Sequence, residues 1–416
     1  MYKNQNKTLV WLAWLFGSLF YGYQYILRNL PNVVMSDVIS KFDSIDASSF
    51  GQFAGIYYVT YAGLHIPVGM WLDKKGPRFV VPFCILCTVL GTMPLLMTDS
   101  WLLVCLGRAL VGFGSSAAIL GLFKIIHLGF PERRFAMMLG IGATIALLIP
   151  VPLSYVFHAL GYENLVTYIL YIGVILAAIS IAVMPQVKHT KENELHVLQD
   201  LKSIWSRKMI LVIGIFGGLM IGPLEGFVDV WGASFFKTIY GFAQVHAAFL
   251  PSLILVGFSV GSIVLPIIAD KTRQYYNIMI FSAFIMAVLF TVLYVLKVPE
   301  MVVKMLLFTI GIFCAYQVLV VYKAITYVSE NLVGLASAIV NMVMMAFGVF
   351  FHTVIGKVMH YTWDGKISKG MIVYSADSYL YALSIIPICL VCGGVGFIYV
   401  KHSQRRKLSK EHSSSI

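Results

Sequence analysis

About a dozen runs of twenty or more mostly apolar residues divide this chain of 416 residues, and they constrain its fold more than any other feature. At about 1.5 Å per residue, a helix of about twenty residues crosses a hydrocarbon layer about 30 Å thick. A transmembrane β-barrel would show alternating apolar and polar residues, whereas Met209 to Met220 and Met301 to Val321 are almost continuously apolar. The chain is therefore predicted to be an all-α membrane protein, and a cytosolic enzyme is excluded.

Charge content and placement support this prediction and orient the chain. Charged residues make up 12% of the sequence, about half the share found in soluble domains. We predict twelve spans, near 8–36, 48–71, 77–98, 101–128, 133–158, 165–184, 208–236, 246–269, 275–296, 301–328, 332–358 and 379–400. With a cytoplasmic N-terminus, the inner segments hold 19 of the 30 Lys and Arg residues and the outer loops hold six. The positive-inside rule then places both termini in the cytoplasm. The net charge of +12 is thus a topology signal, with anionic lipid and not nucleic acid as partner.

One long polar segment divides the predicted spans into two sets of six. We predict an N-terminal six-helix bundle at 1–184, a cytoplasmic linker at 185–207, a C-terminal six-helix bundle at 208–400 and a basic cytoplasmic tail at 401–416. The sequence Leu72-Asp-Lys-Lys75 after the second span is echoed by Ala269-Asp-Lys-Thr272 after the eighth. Duplicated six-helix halves are typical of transporters.

The cysteines and the polar residues give no sign of a metal or an enzyme. All six cysteines lie within predicted spans, and the pairs Cys84/Cys87 and Cys389/Cys392 lack nearby histidines or a second pair that would complete a metal shell. The sequence also lacks an HExxH motif and a recognisable Ser/His/Asp set. We therefore expect neither a metal nor a cofactor, and no enzymatic activity.

The loop that follows the second span carries a specific motif. The pattern G-x3-D-[RK]-x-G-x-[RK] is filled here by Gly69, Asp73, Lys74, Gly76 and Arg78. It resembles the gate loop of the major facilitator superfamily of transporters. A glycine permits close approach of two helices, and a carboxylate stabilises the N-terminus of a neighbouring helix. We therefore expect these residues to brace a gate.

Other segments resemble further parts of the same superfamily. Asp270 repeats the acid after the eighth span, but the glycine is missing there, so this second gate is expected to be degenerate. The segment Leu103 to Gly114 resembles the fourth-helix motif of the superfamily and is centred on Arg108. Lys124 and Lys323 hold matching positions in spans four and ten, where they form a gate pair or, equally well, extend to the membrane interface.

The resemblance implies that spans 1, 4, 7 and 10 line a central cavity, about which the two halves rock. In span 1, polar residues recur at steps of three and four and so share one helix face. They are Tyr21, Gln24, Tyr25, Arg28 and Asn32. An arginine deep in a span costs about 2.5–3.5 kcal/mol or more unless it meets water, an acid or a ligand. We therefore predict that Arg28 faces the cavity and binds substrate.

Span 7 supplies the opposite charge. The first span resembles that of organophosphate:phosphate antiporters, in which a second arginine in span 7 completes a phosphate clamp. Here Glu225 stands at that second position and Asp229 follows one turn later, so phosphate is disfavoured. A guanidinium facing a carboxylate suits a zwitterion, because each end of an amino acid finds its counter-ion. The alternative is that Arg28 and Glu225 simply pair with each other.

Several other residues complete the predicted site. Tyr316 and Gln317 in span 10 are expected to line the cavity. Proton coupling requires a desolvated carboxylate or imidazole, and the candidates are Asp229, Glu225 and His65, although His65 is better explained as a helix-packing residue.

The first two spans, from Tyr21 to Pro31 and from Phe50 to Pro67, resemble the phagosomal (Pht-type) nutrient transporters of intracellular bacteria. This resemblance implies proton-coupled import of a small amino acid across the bacterial inner membrane, by a protein expected to be monomeric. Uptake of a nucleoside, dipeptide or siderophore is the alternative. Drug efflux is a more distant one, because Gly140 to Ser154 lacks the glycine-rich motif of efflux antiporters. A sensor that binds without transport stays open, although the intact gate loop argues for transport.

Overall fold

The computed structural model describes residues 7–42, 45–131, 134–185, 202–328, 332–368 and 371–414. These residues form twelve long helical segments, labelled α1 to α12 in chain order. Four are continuous: α1 (Lys7–Lys41), α6 (Tyr162–Val183), α9 (Tyr275–Val295) and α11 (Val333–Tyr361). Residues 186–201 of the predicted linker and residues 415 and 416 of the tail lie outside the described residues, and the predicted domain boundaries stay predictions.

The other eight segments are interrupted. They are α2 (Ala47–Gly63 and His65–Lys75), α3 (Pro77–Thr92 and Pro94–Met97), α4 (Trp101–Ser115 and Ala117–Gly129), α5 (Phe135–Leu148 and Leu153–Leu160), α7 (Lys208–Gly226, a π-helical turn at Phe227–Trp231, and Gly232–Tyr240), α8 (Gln244–Phe249 and Ser252–Thr272), α10 (Glu300–Cys314 and Tyr316–Ile325) and α12 (Ala376–Leu383 and Ile385–Ser414). A short antiparallel ribbon, β1 (Ile367–Ser368) with β2 (Met371–Ile372), lies between α11 and α12.

Ten of the segments, α3 to α12, are long and apolar enough to cross a membrane, which makes this a multi-pass membrane protein. The segments α1 and α2 fall short of that test of composition. In α1 the reason is its polar residues, but Gln24, Arg28, Asn29 and Asn32 are all buried within the protein. Polar groups that face other helices avoid the cost of contact with lipid. The count of twelve spans and the cytoplasmic placement of the termini stay predictions.

Local sequence explains the sharp turn within the gate loop. Gly76 ends α2 with a φ of 80°, a conformation that favours glycine. Pro77 follows as the first residue of α3, where its missing N–H costs nothing. A single residue therefore joins two neighbouring helices.

Packing within the first six segments recurs in the last six. The pairs α2/α4 and α3/α6 correspond to α8/α10 and α9/α12. Between the two halves, α2 packs along α11, α5 packs against α8, and α1 crosses the π-helical turn of α7. We call the end that carries residues 45–46, 161 and 373–375 the outer end and the opposite end the inner end, following the predicted topology.

Candidate functional site

The centre of the interface between the halves is a buried cluster of three charged residues. The Nη2 atom of Arg28 lies 2.6 Å from Oε1 of Glu225, and its Nε lies 2.9 Å from Oδ2 of Asp229. Tyr58 of α2 donates a hydrogen bond to the same Asp229 oxygen. The second oxygen of Glu225, Oε2, has no hydrogen-bond partner among the described residues. One guanidinium thus serves two carboxylates, so the cluster carries one excess negative charge when both are ionised.

The π-helical turn shapes the part of α7 that holds this cluster. Glu225 is the next-to-last residue of the regular helix, which ends at Gly226, and Asp229 lies in the π-helical turn itself. The Gly232 N–H donates to the Phe227 carbonyl five residues earlier, the spacing of a π-helix, and such turns are frequent at functional sites. The carboxylates lie four positions apart, on the face of α7 that meets α1.

The backbone of α1 at Arg28 is held by Arg108. Pro31 has no N–H and therefore leaves the carbonyl of Leu27, four residues earlier, without its helical donor. Arg108 donates to that carbonyl from Nη1 at 2.7 Å and to the Arg28 carbonyl from Nη2 at 3.2 Å. Its guanidinium also lies 4.7 Å from the centre of the Tyr57 ring. Arg108, predicted as a gating residue, thus supports the helix that presents Arg28.

A cavity of about 260 Å³ extends from Arg28 toward the inner end. Its lining comes from both halves and is mainly apolar and aromatic. The polar or aromatic residues predicted from the sequence that line it are Tyr21, Tyr25, Arg28, His65, Glu225, Asp229 and Gln317. The guanidinium of Arg28 lies 5.4 Å from the Tyr25 ring and 5.1 Å from the Tyr58 ring, within the range of cation–π attraction.

Other predicted site residues form hydrogen bonds within the protein. The hydroxyl of Tyr316 donates to the Gly217 carbonyl at 2.8 Å and is not part of the cavity lining. Gln24 is buried and donates to the Tyr57 hydroxyl. Gln317, which does line the cavity, donates to the Cys314 carbonyl at 3.3 Å. Their roles in substrate binding stay predictions.

The predicted gating residues make contacts within their own halves. Lys124 lies 2.5 Å from Asp73, whose side chain is 71% exposed, so this carboxylate pairs with a lysine instead of a helix N-terminus. Lys323 lies over the rings of Tyr275 and Tyr276, and Asp270 accepts a hydrogen bond from Tyr275 at 2.6 Å.

Gly69 differs from its expected role, and the two basic residues of the motif lie on the surface. A Cβ atom at Gly69 would meet only Leu120 Cδ1 at 3.8 Å, an ordinary contact. The close helix approach expected at this glycine is therefore absent from this conformation. Lys74 and Arg78 are exposed.

Two residues at or near the cluster, Tyr58 and His352, were not predicted from the sequence, and a third, Asn32, has a contact across the interface that was not predicted. Tyr58 holds Asp229, and the His352 ring packs on Tyr58 with 5.1 Å between ring centres. Asn32 was grouped with the polar face of α1, but it also accepts a hydrogen bond from Ala233 N–H at 3.0 Å. A tyrosine-rich face on α2 was the one available signal for Tyr58, and a lone histidine in an apolar helix gave none for His352. Among the described residues, no group of three or more His, Cys, Asp or Glu side chains could hold a metal.

Comparisons with known proteins agree with this fold. The chain is 28% identical over 246 residues to the "Uncharacterized MFS-type transporter YhhS" of Escherichia coli strain K12, a match that covers 54% of this chain and 60% of that relative. YhhS of Shigella flexneri matches equally. The matched region thus spans less than two thirds of these curated relatives.

Solved structures share the fold at low sequence identity. A bacterial homologue of the human lysosomal transporter Spinster, in an inward-facing and unoccupied conformation, has a TM-score of 0.70 at 15% identity, covering 95% of this chain and 96% of that one. A point mutant of the nucleoside transporter NupG has a TM-score of 0.72 at 17% identity, with 95% and 99% covered. The D-xylose-proton symporter has a TM-score of 0.71 at 14% identity, with 94% and 97% covered.

A family model decides the classification. The model of the Major Facilitator Superfamily matches residues 14–352, which include the gate loop and the charged cluster. The prediction of a transporter and not an enzyme agrees with this family and with the relatives that the chain matches. The chain belongs to the Major Facilitator Superfamily.

Proposed function

We propose that this protein imports a small amino acid across a bacterial inner membrane by alternating access, coupled to protons, as a monomer of twelve spans with both termini cytoplasmic. The observation that carries this proposal is the sharing of Arg28 between Glu225 and Asp229 at the end of the central cavity. The Pht-type branch of the superfamily is the group to which we assign it.

The substrate is held by its charged ends. Its α-carboxylate takes the place of one acid on the Arg28 guanidinium, whose planar fork suits bidentate binding. Its α-ammonium binds the Glu225 carboxylate, which has one oxygen, Oε2, without a partner among the described residues. Because the two side chains are already within 2.6 Å, they suit a substrate whose own charges are adjacent. An uncharged sugar or nucleoside can form hydrogen bonds with this pair, but it supplies no charge to replace the one that it displaces.

Proton coupling follows from the charge count. When the substrate carboxylate displaces Asp229 from Arg28, that acid is left buried without its counter-ion, which is costly unless it takes up a proton. A proton on Asp229 therefore favours substrate binding. Glu225 is the second candidate for this proton, and His65, which lines the same cavity, is the third.

The test is uptake by the purified protein in proteoliposomes. We expect an inward proton gradient to drive uptake of one or more labelled amino acids, and Arg28→Lys to lower the uptake strongly because a lysine lacks the bidentate fork. Glu225→Gln should lower substrate affinity. The matched controls are Arg273→Lys and Glu163→Gln, which alter exposed residues outside the cavity and should leave uptake unchanged.

Two results would contradict the proposal. Unchanged uptake by Arg28→Lys would remove Arg28 from the site. Deaminated carboxylic acids that compete as strongly as the amino acids would remove the predicted role of Glu225.

A further inference from the structure

The Nδ1 atom of the His65 imidazole is fixed as a hydrogen-bond donor by its neighbour. Its Nδ1 atom lies 2.9 Å from the Tyr61 carbonyl oxygen, and a carbonyl accepts hydrogen bonds but never donates them. Nδ1 therefore carries the proton. In a neutral imidazole the other nitrogen, Nε2, is then an acceptor.

That acceptor has no partner in the part of the chain that the structure describes. His65 is 2% exposed, and Nε2 makes no hydrogen bond there. The residue is nevertheless part of the cavity lining. A buried acceptor without a donor is disfavoured, so such groups in proteins usually find a partner. The arrangement suggests that a ligand supplies the missing donor.

His65 lies at a defined distance from the charged cluster. It follows Tyr58, which holds Asp229, by seven positions on α2, which corresponds to about 10 Å toward the inner end. The ring of Tyr61, between the two, is edge-on to His65 with 4.7 Å between ring centres. Tyr61, Leu120 and Phe123 also line the cavity, so its walls accept an apolar body.

We propose that His65 Nε2 binds the far end of the substrate, accepting a hydrogen bond from an N–H or O–H group on its side chain. This inference rests on the proposed function, because the amino and carboxyl groups must bind at Glu225 and Arg28. A side-chain carboxylate would find no donor at Nε2. A side-chain ammonium would find no acid in the cavity lining besides Glu225 and Asp229. The substrate class is therefore a neutral amino acid with a long side chain that ends in a donor, as in tyrosine and tryptophan. This inference keeps the amino acid of the proposed function but replaces its small side chain with a longer one.

Two pairs of ligands that differ in that one donor provide the test. Binding of tyrosine, phenylalanine, tryptophan, 1-methyltryptophan and alanine is measured by titration calorimetry on the full-length protein in detergent. One hydrogen bond corresponds to about a ten-fold change in affinity. We therefore expect tyrosine to bind about ten-fold more tightly than phenylalanine, and tryptophan to exceed its N-methyl analogue by a similar factor.

Variants of His65 test whether its Nε2 atom causes these differences in affinity. His65→Phe keeps a ring but removes the acceptor, so both preferences should vanish. His65→Gln retains an acceptor oxygen and should keep part of them, which also guards against a folding defect in the first variant. His127→Phe, at an exposed histidine outside the cavity, is the control that should bind like the wild type.

The outcomes separate this inference from the proposed function. Equal affinities within both ligand pairs, or preferences that persist in His65→Phe, would overturn the role of His65. If alanine alone bound, amino acid transport would stand and this inference would fall. If none of the five bound while the proteoliposomes took up another amino acid, this inference alone would fall, and if no amino acid bound or was taken up, both would fall.

Discussion

The outer and inner ends of the interface between the halves are built from different chemistry. At the outer end, α2 and α11 approach so closely that a Cβ atom at Gly51 would lie 2.5 Å from the His352 carbonyl oxygen, and one at Gly356 would lie 2.3 Å from that of Ala47. At the inner end, the described ion pairs and cation–π contacts stay within one half, as with Asp73 and Lys124. The outer end is thus closed by close backbone contact, with one contact of 3.1 Å between His360 Nδ1 and Asp46 Oδ2 across the halves, whereas the described ion pairs at the inner end lie within one half.

Neutral hydrogen bonds reinforce the outer end. The Asn32 amide accepts from Ala233 N–H at 3.0 Å and donates to the Ala248 carbonyl at 3.3 Å, so one side chain of the first half binds two segments of the second. Tyr374, in the connection before α12, accepts from Ala47 N–H at 2.8 Å. Burial raises the pKa of Tyr374 to about 12, so its hydroxyl stays protonated and neutral at physiological pH. Added side-chain volume should therefore open the outer end, whereas substitutions that change charge should have their main effect at the inner end.

The largest effect is expected from a wedge in the α2/α11 contact. Gly51→Val places side-chain atoms against backbone that cannot rotate away, so the outer end should stay open and uptake should be lost. The measurement is labelling of Ser154→Cys, a buried residue on the outer side, by an impermeant maleimide after the six native cysteines are replaced. Gly63→Val is the control on the same helix, since nothing lies within 4 Å of a Cβ there. Normal uptake by Gly51→Val would contradict closure by shape.

The next effect concerns the support beneath Arg28. Arg108→Leu leaves the Leu27 carbonyl buried without a donor, which should destabilise the protein by about 1–3 kcal/mol and lower the affinity for substrate. Pro31→Ala restores the N–H that α1 lacks, so the double variant should regain about 1 kcal/mol of that stability. Thermal unfolding in detergent measures both. Additive losses in the double variant would show that Arg108 does not compensate for Pro31.

A smaller effect is expected from the Asn32 bridge. Asn32→Ala removes two hydrogen bonds that cross the interface, and each is worth about 0.5–1.5 kcal/mol. The outward-open state should become more populated, with faster labelling of Ser154→Cys. Asn164→Ala, which loses only a bond to the Leu160 carbonyl of the same half, is the control. Unchanged labelling would mean that the shape of the α2/α11 contact alone closes the outer end.

Much of the helical layout could be predicted from the sequence. The predicted spans 101–128 and 275–296 match α4 (Trp101–Gly129) and α9 (Tyr275–Val295) closely, because a run of apolar residues limits where a spanning helix begins and ends. The interruptions were not predicted. The π-helical turn at Phe227–Trp231 is one example, because hydropathy carries no information about the backbone register within an apolar run.

The charged cluster was partly predictable for a physical reason. A buried arginine and a buried carboxylate on facing helices are driven together by the cost of leaving either unpaired, so the contact between Arg28 and Glu225 is the alternative to substrate binding that the sequence left open. Tyr58 and His352 were missed because a hydroxyl or an imidazole at membrane depth is inexpensive enough to appear anywhere. The gate loop shows another limit of prediction from sequence. Its motif is recognisable, but its partners depend on the conformation, and here a Cβ atom at Gly69 would make only an ordinary contact, with Leu120 at 3.8 Å.

The smallest effect on stability is expected at the gate loop itself. The pair Asp73–Lys124 is largely exposed at Asp73, and surface pairs of this kind contribute about 0–1 kcal/mol. Asp73→Asn should therefore leave the melting temperature almost unchanged, yet slow the transport cycle, because the loop has to find new partners when the inner end closes. The measurement compares the effect of the substitution on the maximal rate of uptake with its effect on substrate affinity.

Lys124→Gln is the matched variant, since it breaks the same pair from the other side. If the pair matters only in this conformation, both variants should change the rate equally. If Asp73 also braces the closed inner end, Asp73→Asn should be the slower of the two. A loss of affinity with an unchanged rate would remove Asp73 from the gate and would show that charge at the inner end acts on the site and not on the cycle.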